Sequence, residues 1–219
     1  MKKKLLLLGL IGTMLLTASP TTALSEEAAP SIENPEPVTI EEILSFYENT
    51  VNDPAWRQLS SRAKMGEALQ IPEEMLSNMD TVVLAQAVLH YPYFMDVYAF
   101  DDIQSGVEVM YDTFNGMREL TIRSDAAETL LEIYENTPVD GTIFGLTNIE
   151  VLLAQPFVIE ALPEDKLSQL LEHTLIKYKE KAASPVYGGF SETMFYRVAG
   201  SVLDDPDLLA KILAASPIE

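Results

Sequence analysis

Residues 163–181 read PEDKLSQLLEHTLIKYKEK, the longest stretch of the chain with one helical pattern. Large apolar side chains return every three to four positions along it, which places them on one face of an α-helix. They are Leu167, Leu170, Leu171, Leu175 and Tyr178. Pro163 and the two acids after it suit the start of a helix, and the lysines that precede residue 182 suit the negative end of its dipole. The stretch therefore predicts a long helix with a buried leucine stripe.

The same spacing recurs on both sides of this helix, each time after a residue that suits a helix start. Asp125 precedes a stripe within residues 127–134, and Ser191 is the predicted N-cap of a helix with a stripe over 195–202. We therefore predict an all-α fold with one domain over residues 38–219. Eight to ten short-to-medium helices would pack as helix hairpins, or stack in a solenoid-like row.

Two capping boxes sharpen these boundaries. Thr39 and Glu42 stand three residues apart before an apolar stripe, and Thr147 and Glu150 repeat the pattern. In such a box each side chain bonds the exposed amide of the other residue. We expect one helix to begin after Thr39, and a short second helix to begin after Thr147 and to be interrupted by Pro156.

Two segments between these boxes are less uniform. Residues 79–91 are almost entirely apolar, which indicates a helix that is buried on most sides. Asn115-Gly116 is a strong signal for a β-hairpin turn, but the residues on both sides of it also fit helical stripes. We favour helix–turn–helix, and the hairpin is the alternative.

The N-terminus has the three parts of a secretory signal peptide. Lys2, Lys3 and Lys4 precede an apolar run from Leu5 to Leu16, and small residues follow. The run is shorter than the roughly 20 residues of a membrane span, so we predict a cleaved signal over 1–25 rather than an anchor. Residues 26–37 are acidic and proline-containing, which predicts a disordered linker.

The charge balance limits the classes of partner. The chain has 14 Lys and Arg against 34 Asp and Glu, a net charge of −20. A surface this negative repels nucleic-acid phosphates and anionic lipids, so we expect no nucleic-acid partner. Because the apolar run leaves with the signal, we also expect no stable membrane span after cleavage. Because the chain has no cysteine, disulfides, cysteine catalysis and a lipid-modified N-terminal cysteine are excluded.

Several motifs lie within residues 56–134. In order they read WRQLSSR, LQIPEEML, VLHYPYF and FNGMRELTIRSDAAETLLEIY. They resemble a recurring helical module of exported bacterial proteins that has no assigned activity. The resemblance covers less than half of the chain. It implies a helical, exported bacterial protein and transfers no functional residue.

No motif for a known chemistry is present. The two histidines, His90 and His173, are far apart and form no zinc-binding pattern, and His173 is predicted at the surface. No nucleophile elbow, phosphate-binding loop or dinucleotide fingerprint occurs. We therefore predict no catalytic residue, no metal and no cofactor, and favour a protein that is not an enzyme.

Acidic residues leave two alternatives open. A pair of carboxylates would support an envelope or polymer hydrolase, and Asp101-Asp102 or the aspartates of residues 204–207 offer oxygen ligands to calcium. Residues 65–117 contain nine acids and no Lys or Arg, and a basic cluster lies just before them at 57–64. The simpler interpretation is that arginines join neighbouring helices to carboxylates.

Two aromatic segments are the candidate ligand-binding residues. The first lies at a predicted helix end and the second in a predicted loop, where binding residues are common. They are His90, Tyr91 and Tyr93, and then Tyr187, Gly188, Gly189 and Phe190. The sequence therefore predicts a non-catalytic interaction module outside the cytoplasmic membrane, with an unidentified protein or envelope partner.

Overall fold

A computed structural model of the chain describes residues 36–139 and 143–217. The predicted signal peptide, residues 1–25, lies outside the described residues, as does the predicted linker except for residues 36 and 37. The backbone amide of Val38 donates to the carbonyl of Asn78 at 3.2 Å. The first helix follows directly after Thr39, whose capping box with Glu42 is present as predicted.

The described residues form thirteen α-helices and two 3-10 helices and contain no strand. The α-helices are α1 Ile40–Asn52, α2 Arg62–Ala68, α3 Glu73–Ser77, α4 Thr81–Leu89, α5 Ile103–Thr113, α6 Asn115–Ile122, α7 Ala126–Asn136, α8 Ile143–Leu153, α9 Pro156–Ile159, α10 Glu164–Ala182, α11 Gly189–Glu192, α12 Met194–Val202 and α13 Pro206–Ala214. The 3-10 helices are Trp56–Gln58 and Phe94–Ala99. The all-α prediction is confirmed. Helices α3, α9 and α11 have only four or five residues, too few to show a periodic stripe, which explains why the predicted number was lower.

Helix α4 lies at the centre of the core. Seven of its nine residues are buried, as the apolar run over 79–91 predicted, and it contacts α1, α6, α7 and α8. Asp80 caps its start, since a carboxylate oxygen accepts the amide of Val83 at 2.8 Å. Helices distant in sequence also pack together, with α12 on α8 and α5. In a solenoid each repeat contacts only its neighbours in sequence. The described helices of this chain therefore do not pack in the solenoid-like row that was the alternative.

The segment around Asn115 is helix–turn–helix, and the hairpin alternative is wrong. Helix α5 ends at Thr113, Phe114 alone is extended at φ −123° and ψ 119°, and Asn115 begins α6. The Asn115 side chain bonds both backbone groups of Ile71, at 3.0 and 2.8 Å. A Cβ on Gly116 would lie 2.5 Å from the Phe114 ring, so only glycine permits this tight joint.

Two predicted helix starts are wrong. Thr147 and Glu150 lie inside α8 and are buried, and the Thr147 hydroxyl donates to the carbonyl of Ile143 at 2.5 Å. Ser191 lies inside the single turn α11, and Thr193 takes the N-cap position of α12. In both cases the polar residue lies within a helix, and the spacing of residue types does not distinguish that position from a cap.

Helix α10 is the longest described helix, with 19 residues, as predicted. Leu167, Leu170 and Leu171 of its stripe are buried. The lysines near its end were interpreted only as partners of the helix dipole, and two of them, Lys177 and Lys181, are buried at 5% and 1% exposure. This part of α10 therefore faces the core, where its charges need partners.

Candidate functional site

A cavity of about 450 Å³ lies between α2, the 3-10 helix Phe94–Ala99 and α5. Its lining is mainly apolar, with a few charged groups. The large apolar and aromatic side chains in the lining are Tyr91, Tyr93, Val97, Phe100, Val109 and Met110. A cavity of this size and composition can enclose an apolar group the size of an aromatic ring.

Gly106 fixes one wall of the cavity. A Cβ at this position would lie 2.4 Å from the carbonyl oxygen of Val97, so α5 approaches the 3-10 helix more closely than any other residue would permit. Asp102 sets the start of α5, because its carboxylate accepts the amide and the hydroxyl of Ser105, each at 2.8 Å. The two elements therefore form a fixed wall on which Val97 and Met110 face the cavity.

The base of the cavity is aromatic. The Tyr91 ring stacks on Phe114 with centroids 3.9 Å apart and planes within 9°, and it meets Tyr93 edge-on at 5.9 Å. On the Trp56 side of Tyr93, the centroids of the two rings are 6.1 Å apart. Burial, followed by the nearby Tyr93, raises the pKa of Tyr91 to about 12. Tyr91 is therefore a neutral phenol at physiological pH.

Charged groups form the rim. The Arg62 guanidinium carbon lies 3.2 Å from the centroid of the Tyr93 ring, and Arg62 Nε donates to Asp96 Oδ2 at 2.9 Å. Arg62 Nη2 donates to the same oxygen. Among the described residues that line the cavity, Arg62 is the only basic one, and Glu67 and Asp96 are the acids. The Tyr93 hydroxyl is buried without a hydrogen-bond partner among the described residues.

The first predicted segment contributes two of its three residues to this cavity. Tyr91 and Tyr93 line it. His90 instead caps the C-terminus of α4 with an exposed side chain, and its Nδ1 lies 2.9 Å from the carbonyl of Gln86. Sequence periodicity does not identify Arg62, Asp96 or the α5 wall, since only the folded chain brings α2 and α5 beside Tyr93.

The second predicted segment lies in a different environment. Tyr187 is buried at 6% exposure, and its ring centroid is 5.9 Å from Lys181 Nζ. Gly188 is the N-cap of α11, and Gly189 and Phe190 belong to that helix rather than to the predicted loop. Tyr187 therefore packs beside an ion pair inside the protein, as part of the connection between α10 and α12.

That ion pair joins Lys181 of α10 to Glu150 of α8. Lys181 Nζ donates to both carboxylate oxygens, at 2.6 and 2.7 Å, and to the carbonyl of Ser191 at 3.0 Å. The Tyr134 hydroxyl of α7 donates to Glu150 Oε1 at 2.8 Å. Burial raises the pKa of Glu150, and Lys181 opposes this shift. The network ties four helices together and lies in the core rather than in a cleft.

Other sequence candidates take structural roles. Asp102 and Asp205, both proposed as calcium ligands, cap α5 and α13 with their carboxylates. Within residues 36–139 and 143–217, no three His, Cys, Asp or Glu side chains cluster in a way that would hold a metal ion. His173 is half-buried rather than at the surface, and its Nε2 lies 3.5 Å from Glu135 Oε1.

No helix in the described part of the chain is both long and apolar enough to cross a bilayer. Searches against protein families, curated proteins and solved structures give no match. The resemblance of residues 56–134 to an exported bacterial module therefore stays a prediction. The cavity beside Tyr91 and Tyr93 is the candidate site on geometry alone.

Proposed function

We propose that this chain is a non-catalytic helical binding protein, exported from a bacterial cell, whose aromatic cavity receives an apolar group of its partner. The cavity carries this proposal. It has a volume of about 450 Å³, a base of stacked aromatic rings and few charged groups. Binding pockets in proteins share this design, in which apolar walls supply affinity and a few polar groups orient the ligand.

The aromatic arrangement supports a preformed pocket. Tyr91 is held from behind by Phe114 and at its edge by Tyr47, with ring centroids 6.2 Å apart in the second pair. The Tyr47 hydroxyl donates to the carbonyl of Ala87 in the central helix α4 at 3.1 Å. A ring fixed in this way loses little freedom when a ligand binds, so less of the binding free energy is lost to ordering.

A neutral naphthalene dye whose fluorescence reports an apolar environment tests the proposal. Gly66 lines the cavity, and a Cβ there would have Tyr91 Oη at 4.0 Å as its nearest neighbour. Gly66→Leu therefore adds its Cβ without a close contact and places an apolar side chain in the cavity lining, and it adds helix propensity worth about 1 kcal/mol. We expect the dye to bind the mature protein and the variant to bind it at least about tenfold more weakly.

Gly200→Leu is the matched control. Gly200 lies in α12, is exposed, and has no atom within 4 Å of a Cβ built on it. This change adds the same side chain and the same propensity away from the cavity, so dye affinity should equal that of the unaltered protein. Equal affinity in both variants would contradict the proposal.

Export is tested separately. The N-terminal pattern over residues 1–25 supports it, and mass spectrometry of the protein from the extracytoplasmic fraction should give an N-terminus close to residue 26. Intact protein that retains Met1 in the cytosol would contradict this part of the proposal.

A carboxylate-dependent hydrolase is the second candidate, because Glu67 and Asp96 line the same cavity. Asp96 already accepts two hydrogen bonds from Arg62, which favours the binding function. Glu67→Gln distinguishes the two. A hydrolase of envelope polymer would lose turnover with this change, whereas a binding protein would show no turnover and keep its dye affinity.

A further inference from the structure

We infer that the end of the cavity formed by the Tyr93 ring and the Asp96 carboxylate is a subsite for an organic cation, a guanidinium or ammonium group on an apolar stem. In the free protein the Arg62 guanidinium occupies this subsite in place of the ligand's cationic group. The inference rests on the proposed binding function and names the ligand class of the same cavity.

The contacts of Arg62 define the subsite. Its guanidinium lies on the face of the Tyr93 ring, with 3.2 Å between the guanidinium carbon and the ring centroid. Two of its nitrogens donate to one carboxylate oxygen of Asp96. An aromatic face and a carboxylate are the two groups that proteins combine to bind organic cations. The chain's own side chain therefore shows what chemistry this end of the cavity accepts.

Arg62 is held weakly enough to be displaced. All seven residues of α2 are described and none is buried, and elements with few buried contacts open at low free-energy cost. The Arg62 and Asp96 side chains are 55% and 46% exposed, so water stabilises them when they separate. Arg62 is also the first residue of α2, where a positive charge opposes the helix dipole.

The surrounding charge favours a cation over an anion. Without Arg62, the charged residues in the lining are Glu67 and Asp96. The whole chain has a net charge of −20, and this field attracts cations and repels anions.

Three ligands of similar shape test the inference by calorimetry on the mature protein. They are phenethylammonium, 2-phenylethanol and 3-phenylpropionate, which carry a positive, a neutral and a negative group on the same ring. We expect phenethylammonium to bind at least tenfold more tightly than the alcohol, and the anion to bind most weakly. Asp96→Asn should abolish the difference between cation and alcohol, since it removes the charged partner.

Removal of the internal cation gives the second test. Arg62→Ala should increase the affinity for phenethylammonium, because the ligand no longer has to displace the Arg62 side chain from the subsite. Arg57→Ala, which removes an equal charge from an exposed position of the neighbouring 3-10 helix, should not. Ethylguanidinium should likewise raise the melting temperature of Arg62→Ala more than that of Arg57→Ala.

The outcomes separate the two proposals. If the alcohol binds as tightly as the cation in both the unaltered protein and Arg62→Ala, the cation subsite is wrong and the apolar cavity stands. If neither the dye nor any of the three ligands binds, the proposed function itself is wrong. A blocked peptide with one arginine beside a phenylalanine distinguishes the source of the cation, since tighter binding than phenethylammonium indicates a protein partner and weaker binding a free amine.

Discussion

The two ion pairs Arg62–Asp96 and Lys181–Glu150 join the same classes of side chain in opposite environments. The first spans 34 residues of sequence and lies at the rim of the cavity, with its side chains 55% and 46% exposed. The second spans 31 residues and lies in the core, with its side chains 1% and 2% exposed. The comparison separates a contact that can open from one that must remain closed.

Water accounts for the difference. When Arg62 and Asp96 separate, both regain hydration, so such pairs contribute about 0–1 kcal/mol. Separation of Lys181 from Glu150 would leave two charges in an apolar core, which costs several kcal/mol per ion. The exposed pair can therefore yield to a ligand, whereas the buried pair fixes α10 against α7 and α8.

Lys181→Met is expected to have the largest effect. It leaves the Glu150 carboxylate buried without its cation, and we expect the free energy of unfolding in urea to fall by about 3–5 kcal/mol. Lys179→Met, at an exposed position of the same helix, should change it by less than about 0.5 kcal/mol. A loss below about 1 kcal/mol for Lys181→Met would contradict the role of the buried pair.

The pH dependence of Lys181→Met sharpens this result. Burial raises the pKa of Glu150 above its ordinary value of 4.5, and loss of Lys181 raises it further. The folded state then binds this proton more tightly than the unfolded state, so the contribution of this group to stability is fully present below about pH 4.5 and is lost as pH rises through the folded-state pKa. The deficit of the variant should grow with pH over this window by at most about 1.4 kcal/mol per pH unit. A deficit that shrinks as pH rises would show that Glu150 is not the group left unpaired.

Gly106→Ala tests the rigid wall that supports the exposed pair. The added Cβ would lie 2.4 Å from the Val97 carbonyl oxygen, so α5 must move, and we expect a loss of about 1–3 kcal/mol in the free energy of unfolding. Gly200→Ala, in a helix with open space around it, should gain up to about 1 kcal/mol. Stabilisation by both alanines would show that the close approach at Gly106 is not required.

Asp96→Asn should have the smallest effect on stability. Because Asp96 and Arg62 are about half exposed, we expect the free energy of unfolding to change by less than about 1 kcal/mol. The same variant should lose the preference for cationic ligands. A large loss of stability would mean that the pair holds the fold together and cannot open for a ligand.

The sequence predicted those elements whose apolar pattern is long and regular. Helix α10 was visible from its leucines and its charged ends, and α4 from its almost entirely apolar run, because these patterns follow directly from burial and the helix dipole. The single turn α9 has four residues and cannot show a period. Thr147 and Glu150 have the spacing of a cap, and only the position of Lys181, 31 residues later, explains why a glutamate is buried there.

The site was predictable in part for the same reason. Tyr91 and Tyr93 flank Pro92 at the end of an apolar helix, so their aromatic cluster is local in sequence. The partners of Tyr93 are not local, since Asp96 reaches Arg62 across 34 residues. Tyr187 belongs to an equally local aromatic segment, yet its ring is buried beside Lys181 rather than at a cavity.

The most direct test of the account is an amide NMR titration of the mature protein with 2-phenylethanol, which probes the apolar cavity without its charge preference. Gly66 and Gly106 line the cavity, whereas Gly188 and Gly189 mark the second aromatic segment. We predict saturable shifts at the amides of Gly66 and Gly106 and none at Gly188 and Gly189. Shifts confined to Gly188 and Gly189, or no saturable shift at Gly66, would contradict the assignment of the binding site.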